Sequence, residues 1–217
     1  MFEEMGYMAM SFTNIFIAPI ITVAVAAPVV MYIVARWRTY RDGGPPDPQI
    51  GLKVAISWFR LASYQLLLCG GFLLLYGIIG DLGSRGKEEI MRIAGGLLFP
   101  AAIIYTAHHI AIGFTNARER PMVVRMFSGF SLIQTGIIGF TALMLAGILL
   151  FQKHSPTQLN RLAWSMVLVY IPAWCGQGMF LARELFAGNM PAAVARFTGG
   201  GDASASEQPP AADPPAP

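Results

Sequence analysis

Acidic residues are missing from the interiors of five long apolar segments that fill most of this chain. The segments cover residues 14–35, 56–80, 90–115, 122–151 and 162–183. Each exceeds the roughly 20 residues that a helix needs to cross a bilayer, and none carries the charged stripe of a long soluble helix. The sequence therefore predicts an all-α integral membrane protein, a bundle of five transmembrane helices. Because the spans hold no carboxylate to bind protons or sodium ions, an ion-driven pump is disfavoured.

Charge is scarce along the whole chain. Charged residues make up 12% of the chain, about half the share of a soluble domain, while 55% of the residues are hydrophobic. We expect a membrane domain over residues 1–187. Residues 188–217 should form a short interfacial segment and a disordered acidic tail rich in Pro and Ala, because their apolar content is too low to fold. The loops are too short to hold a soluble catalytic domain.

The few positive charges are distributed unevenly between the two sides of the predicted bundle. One side receives the first loop, the third loop and the C-terminus, and it holds ten of the 15 Lys and Arg residues. These ten are Arg36, Arg38, Arg41, Lys53, Arg60, Arg118, Arg120, Arg125, Arg183 and Arg196. Short cytoplasmic loops carry an excess of Lys and Arg. The predicted topology therefore has the N-terminus outside and the C-terminus in the cytoplasm, in a multi-pass protein of the plasma (inner) membrane.

Six arginines beside the first and third loops form a predicted cytoplasmic basic face: Arg36, Arg38, Arg41, Arg118, Arg120 and Arg125. Arginines beside a membrane attract anionic lipid headgroups by about 1 kcal/mol each. The same face would suit an anionic solute or a protein partner at the loops or the tail. The net charge of +3 reflects this face and indicates no nucleic-acid partner.

Polar side chains inside the spans form a second candidate site, made of Gln65, Tyr105, His108, His109, Ser131, Gln134 and Gln177. Four helices place such groups roughly 7 to 14 Å below the cytoplasmic face, at about 1.5 Å per residue. Buried polar groups need partners, so we expect the layer to face inward. Adjacent histidines point in different directions, so only one can be central to it. The layer is either helix–helix hydrogen bonding or the wall of a binding site or polar pathway.

Histidine and cysteine are too few to indicate a cofactor. Haem ligation by two histidines needs one on each of two helices at one depth, and His154 lies in the outer loop, far from His108 and His109. A haem held by a histidine and a methionine stays open at this point. The spacing of Cys, His and carboxylates fits no metal site, and motifs of hydrolases, nucleotide-binding loops and dinucleotide folds are absent. We expect neither a metal nor an enzymatic activity.

Three functions remain compatible with these features. The first is a non-enzymatic membrane module, either an accessory or assembly subunit or a regulator that binds a cytoplasmic partner. The second is a small oligomeric channel or facilitator that uses the polar layer. The third is a redox subunit that binds haem or a quinone. Glycines on the second, third and fourth predicted helices would let helices approach closely, within the chain or between subunits of a homo-oligomer.

Overall fold

The computed structural model describes residues 26–41, 47–152 and 157–186. Every regular element in these ranges is a helix, which confirms the all-α prediction. We label the helix of residues 26–41 α1; it is followed by α2 (Ile50–Ile79), α3 (Gly83–Gly113), α4 (Arg120–Phe151) and α5 (Thr157–Phe186). In the described part of the chain, the helices α2 to α5 are long and apolar enough to cross a membrane.

Several sequence predictions fall outside the described ranges. They concern the first half of the first span, the Gly-Pro-rich part of the first loop, the loop that holds His154, and the acidic tail. The first predicted span, and with it the total of five spans, and the orientation of the bundle therefore stay predictions. The chain divides into two units, residues 1–177 and residues 178–217. The second unit begins within α5 and continues as helix to Phe186.

The helices are longer than the apolar segments that predicted them. The α3 helix begins at Gly83, whereas its apolar segment begins at residue 90. Its extra turns are polar, and Glu88 in them accepts a hydrogen bond at 2.6 Å from Arg92 Nη2, one helical turn further along. Hydrophobicity reports only the part of a helix that suits hydrocarbon. A helix that continues into the polar interface therefore extends past the apolar limits.

Two apolar clusters hold the helices together. One joins α1, α2 and α4, with Ala35, Val54 and Phe127 among its buried members, and Trp58 packs at 6.4 Å from the Phe127 ring. The other joins α4 and α5 through small residues, including Ala146 and Ala163. Alanines at both positions let the two backbones approach closely.

Glycines provide the remaining close contacts. A Cβ built on Gly70 of α2 would lie 2.7 Å from Leu98 Cγ of α3, and one on Gly77 would lie 2.9 Å from Met91 Sδ. On α4, a Cβ at Gly136 would lie 2.7 Å from Trp174 Nε1 of α5. Only a residue without a Cβ fits these three contacts as they stand. Glycines therefore allow close packing of α2 on α3 and, separately, of α4 on α5.

Candidate functional site

A fully buried lysine organises one end of the bundle, where α1 and α3 end and α2 and α4 begin; we call this the basic end. The Lys53 side chain in the first turn of α2 is 0% exposed. Its ammonium group donates to the Asp47 carboxylate, to Asn116 Oδ1 at 2.5 Å and to the backbone carbonyl of Arg118. An ammonium group has three protons to donate, so these three acceptors satisfy it completely.

Further hydrogen bonds join the same residues from two separate loops. Asn116 Nδ2 donates to Asp47 Oδ1 at 3.0 Å, and the Asn116 backbone N–H donates to Gln49 Oε1 at 2.8 Å. The backbone N–H of Gln49 also donates to Asp47 Oδ1, at 2.9 Å. We call this set of residues, Asp47, Gln49, Lys53, Asn116 and Arg118, the Lys53 clasp. It fastens the loop before α2 to the loop between α3 and α4.

The electrostatics of the clasp favour a charged Asp47. Burial alone would raise the pKa of its carboxyl group. Hydrogen bonds from Lys53, from Asn116 and from the Gln49 backbone outweigh that effect and lower the pKa below its ordinary value of 3.8. Asp47 is therefore ionised at neutral pH, opposite the Lys53 ammonium. Removing one member of a buried ion pair leaves the other charge without compensation, at a cost of about 3 to 5 kcal/mol.

The turn before α4 presents the Arg118 carbonyl to the clasp. Glu119 adopts a left-handed conformation with φ of 53°, which a non-glycine residue adopts at a cost of about 1 to 3 kcal/mol. Its carbonyl accepts from the Val123 N–H at 3.0 Å and so starts the helix. Arg120 Nη1 donates to the carbonyl of Gly113 at 3.2 Å. These bonds hold the turn in the conformation that faces Lys53.

The six predicted basic residues near the clasp differ in exposure. Five have exposed side chains: Arg36, Arg38, Arg41, Arg118 and Arg125. The sixth, Arg120, is half-buried against the α3–α4 turn. Arg36 donates to the hydroxyl groups of Tyr32 at 2.8 Å and Tyr40 at 3.1 Å. Lys53 counted toward the positive charge of this side in the sequence, but it is buried and offers no charge to a ligand.

Part of the predicted polar layer joins α2 to α4. Gln65 Nε2 donates to Thr135 Oγ1 at 3.0 Å, and Ser131 is buried one turn before Thr135. The Gln65 carbonyl oxygen is buried and has no hydrogen-bond partner within the described ranges. Gln134 is half-buried on the same helix. Thr135 is not among the predicted layer residues, because nothing local in the sequence indicates a partner 70 residues away.

The histidines of the layer lie on different sides of α3. His108 is half-buried against the Phe59 ring of α2, at 5.3 Å, and its Nδ1 lies 2.7 Å from the Ile104 carbonyl oxygen. His109 is exposed, about 100° further around α3, and stacks on Tyr105 with ring centroids 6.0 Å apart. The inward orientation expected for His109 is therefore not observed. An adjacent pair on a helix points about 100° apart, and it is His108 that faces α2.

Tyr105 continues the polar contacts toward α5. Its ring lies 6.1 Å from that of Tyr64 on α2, and the Tyr64 hydroxyl faces the Gln177 amide. The Gln177 carbonyl oxygen is buried and, among the described residues, has no hydrogen-bond partner. Gln177, Tyr64, Tyr105 and His109 therefore form a row of polar side chains from α5 across α2 to the outer side of α3.

A second polar contact, missed from the sequence, closes the end opposite the clasp. The Tyr76 hydroxyl donates to Gln158 Oε1 at 3.2 Å, and Gln158 Nε2 donates to the backbone carbonyl of Asp81. Cys69 and Cys175 are free thiols. No group of three metal-ligating side chains occurs within the part of the chain that the structure describes.

A groove of about 500 Å³ lies on the surface between α4 and α5. It is lined mainly by apolar side chains, among them Phe140, Met144 and Trp174, and Gly136 forms its floor. The residues of the predicted polar layer do not line it. The groove is therefore an apolar feature separate in its lining from the predicted polar layer.

A sequence signal for the clasp exists in hindsight. Asp47 stands two residues before Gln49 at the start of a helix, where a carboxylate commonly accepts a backbone N–H. That pattern predicts a turn but says nothing of Asn116, which joins it from 63 residues beyond Lys53. Comparisons of this chain with protein-family models, with curated proteins and with solved structures each find no match.

Proposed function

We propose that this protein is a non-enzymatic integral membrane module whose basic end binds an acidic segment of a cytoplasmic protein. The observation that carries the proposal is the Lys53 clasp. It joins residues 47–49 before α2 to the turn between α3 and α4, so the backbone that carries Arg118 is held in place. A preorganised surface binds more tightly than a flexible one because less conformational freedom is lost on binding.

The chemistry of the exposed arginines supports an anionic partner. Arg118 lies within the clasped loop, and Arg36 is held by Tyr32 and Tyr40 at the end of α1. Guanidinium groups bind carboxylates through paired hydrogen bonds and remain charged at all physiological pH values. Clusters of this kind accelerate association with acidic partners, and the effect weakens with salt.

Charge reversal tests this proposal. The full-length protein is reconstituted in nanodiscs of zwitterionic lipid and incubated with the soluble cell extract, and retained proteins are quantified by mass spectrometry. The variant carries Arg118→Glu and Arg125→Glu. The matched control carries Arg85→Glu, because Arg85 is an exposed arginine at the opposite end. We expect the wild type and the control to retain a common acidic protein, with at least tenfold less on the variant.

Two outcomes would contradict the proposal. One is an unchanged set of retained proteins on the charge-reversed variant. The other is retention that the control loses equally, because binding would then not depend on the basic end. Binding only to vesicles of anionic lipid would reassign the arginines to the bilayer surface.

A second candidate function, an oligomeric channel or facilitator, has one specific observation in its favour. The carbonyl oxygens of Gln65 and Gln177 are buried without a donor among the described residues, and such acceptors are sites for water. Flux of small solutes into liposomes, lowered by Gln65→Leu and unchanged by Leu66→Ala on the exposed side of α2, would support conduction. Absence of flux from the wild type would eliminate it.

The third candidate, a redox subunit that binds haem or a quinone, rests on His108 and His109 alone. An absorption spectrum of the detergent-purified protein separates it from the other two. A Soret band lost in one of the two histidine variants would support haem, and a colourless protein would contradict it. Quinone extracted with the protein and assayed by chromatography gives the corresponding test for that ligand.

A further inference from the structure

The exposed side of α1 changes in chemistry along the helix. Its first turns present aliphatic side chains, and Val29 and Ile33 are 55% and 58% exposed. Its last turns present Arg36, Trp37 and Tyr40, which are exposed as well. Residues 29, 33, 36 and 40 are spaced by four, three and four positions, so they line one face of the helix. That face passes from apolar to cationic and aromatic within about 17 Å, at 1.5 Å per residue.

This order of side chains matches the boundary between hydrocarbon and headgroups. Aliphatic side chains suit acyl chains, whereas Trp and Tyr concentrate at the level of the headgroups because their rings combine an apolar body with a polar edge. Trp37 is 62% exposed, and Arg41 Cζ lies 5.6 Å from the centroid of its ring. The last two turns of α1 therefore suit the headgroup layer, where each phospholipid carries a phosphate.

Three hydrogen-bonding side chains meet at the end of this face. Arg36 Nη1 donates to the Tyr32 hydroxyl oxygen at 2.8 Å, and Arg36 Nη2 donates to the Tyr40 hydroxyl oxygen at 3.1 Å. Tyr32 also packs against the apolar cluster that joins α1, α2 and α4. The guanidinium group is therefore tied to the fold through Tyr32 and not only to its own helix. We call Tyr32, Arg36 and Tyr40 the Arg36 row.

The row has donors left for a ligand. A guanidinium group has five N–H donors, and the two tyrosines accept from two of them. Each tyrosine hydroxyl keeps its own proton, for which the described residues provide no acceptor. The phosphate diester of a phospholipid carries one negative charge on two oxygens, and both can accept from guanidinium and hydroxyl groups. The chemistry of the row is therefore complementary to a phosphate.

We propose that the Arg36 row binds the phosphate of an anionic phospholipid whose acyl chains lie along Val29 and Ile33. The two hydroxyl groups hold the guanidinium in place before the ligand arrives, so little conformational freedom is lost on binding. The charges of Arg38 and Arg41, exposed at the same end of α1, favour a headgroup with a net negative charge over a zwitterionic one. A carboxylate of a soluble protein would accept the same hydrogen bonds but would leave the aliphatic part of the face uncovered.

Photolabelling of the full-length protein in liposomes tests the site. The liposomes consist of phosphatidylcholine with a trace of phosphatidylglycerol that carries a diazirine in its acyl chain, and labelled peptides are mapped by mass spectrometry. Labelling of residues 29–36 is divided by labelling around Ile137, which is 63% exposed on α4 and reports general contact with lipid. We expect this ratio to be about tenfold higher than with a phosphatidylcholine probe that carries the same diazirine.

Three variants separate the row from a general attraction of positive charge to lipid. Arg36→Gln should lower the ratio about tenfold, because the charged hydrogen-bond donor is lost. Tyr32→Phe combined with Tyr40→Phe keeps the charge and both rings, and the loss of two donors should lower the ratio about threefold. Arg38→Gln is the matched control, because it removes the same charge about 200° further around α1 and should leave the ratio unchanged.

Three results would overturn the proposal. Equal losses in Arg36→Gln and Arg38→Gln would mean that only the total charge matters. An unchanged ratio in the tyrosine double variant would mean that the hydroxyl groups take no part. Loss of labelling on addition of excess soluble glycerol phosphate would mean that a soluble phosphate ester, and not a lipid, occupies the row.

The lipid site and the proposed function can fail independently. The charge-reversal experiment replaces Arg118 and Arg125, which lie outside α1, and it is carried out in zwitterionic lipid. A lipid at the Arg36 row leaves those two arginines to the protein partner. If Arg36→Gln abolishes capture of the acidic protein and leaves the photolabelling ratio unchanged, Arg36 belongs to the protein-binding surface and the lipid site is wrong.

Discussion

Lys53 is the largest side chain that the described residues bury completely. A lone buried ammonium group would be strongly destabilising, so its stability depends on the Asp47 carboxylate and the two neutral acceptors that surround it. Asp47 lies just before α2 and Lys53 in its first turn, whereas the two neutral acceptors, Asn116 and the Arg118 carbonyl, come from the loop between α3 and α4. At the residue scale, the clasp is therefore the feature most sensitive to a single substitution.

Substitution of Lys53 should lower the free energy of unfolding more than substitution of an exposed charged residue. Lys53→Met keeps the apolar stem and leaves Asp47 buried without its cation, so we expect a loss of about 3 to 5 kcal/mol in the free energy of unfolding. Lys87→Met is the control, because Lys87 is exposed in the first turns of α3 and should change stability by about 0.5 kcal/mol or less. Unfolding in mixed micelles titrated with SDS measures both.

A double substitution distinguishes the ion pair from local packing. In the protein with both Asp47→Asn and Lys53→Met, no unpaired charge remains, so part of the lost stability should return. If the loss in the free energy of unfolding of the double variant equals the sum of the losses of the two single variants, the two side chains do not interact.

The pH dependence of the clasp follows from the lowered pKa of Asp47. The folded pKa lies below the ordinary value of 3.8, so the stabilisation is fully present above that value. It should be lost as the pH falls through the folded pKa. The stability difference between the wild type and Asp47→Asn should therefore be constant between pH 7 and pH 5 and shrink in more acidic solution. A difference that shrinks above pH 5 would contradict a lowered pKa.

At the scale of the helices, glycine decides where two backbones come together. Gly136 of α4 lies under Trp174 of α5, whose ring also contacts Phe140 edge-on at 5.2 Å. Both contacts come from α4, so they fix how closely the indole ring approaches that helix. A methyl group at Gly136 would have to displace it.

Two alanine substitutions on α4 should have opposite effects. Gly136→Ala places a Cβ 2.7 Å from Trp174 Nε1, so overpacking should cost about 1 to 3 kcal/mol of stability. Gly147→Ala meets nothing within 4 Å in the described structure, so the helix should gain up to about 1 kcal/mol. Thermal unfolding in detergent, followed by circular dichroism, checks both, and equal effects would show that the α4–α5 contact is loose.

Much of the helical arrangement could be predicted from the sequence, whereas the clasp could not. The apolar segment of residues 122–151 lies within α4, and that of residues 56–80 lies within α2 except for its last residue, because spanning hydrocarbon is a local requirement on each segment. Two of the three acceptors around Lys53 come from a loop more than 60 residues away. No local pattern records which loops meet, and for that reason Lys53 looked like one more surface charge.

At the scale of the whole molecule, the orientation of the bundle is predicted from the Lys and Arg residues at the basic end. The clasp brings the first and third loops to one end, and the Tyr76–Gln158 contact closes the other. We expect the basic end in the cytoplasm, since short cytoplasmic loops carry the positive excess.

Labelling with a membrane-impermeant maleimide tests this orientation in intact cells. In a protein without native cysteines, Ser84→Cys reports the end with α3's first turn and Ala117→Cys reports the basic end; both positions are exposed. Ser84→Cys should label in intact cells, and Ala117→Cys should label only after lysis. The reverse pattern would invert the topology and remove the cytoplasmic partner from the proposal.

The sequence by itself determined that the described chain is helical and that four of its helices suit a membrane, because the length of each apolar segment depends only on residues adjacent in the sequence. Only the tertiary structure decided which polar groups are buried. It placed Lys53 inside, paired Gln65 with Thr135 and turned His109 outward. The physical reason is that burial depends on which helix faces meet, and those contacts join residues far apart in the chain.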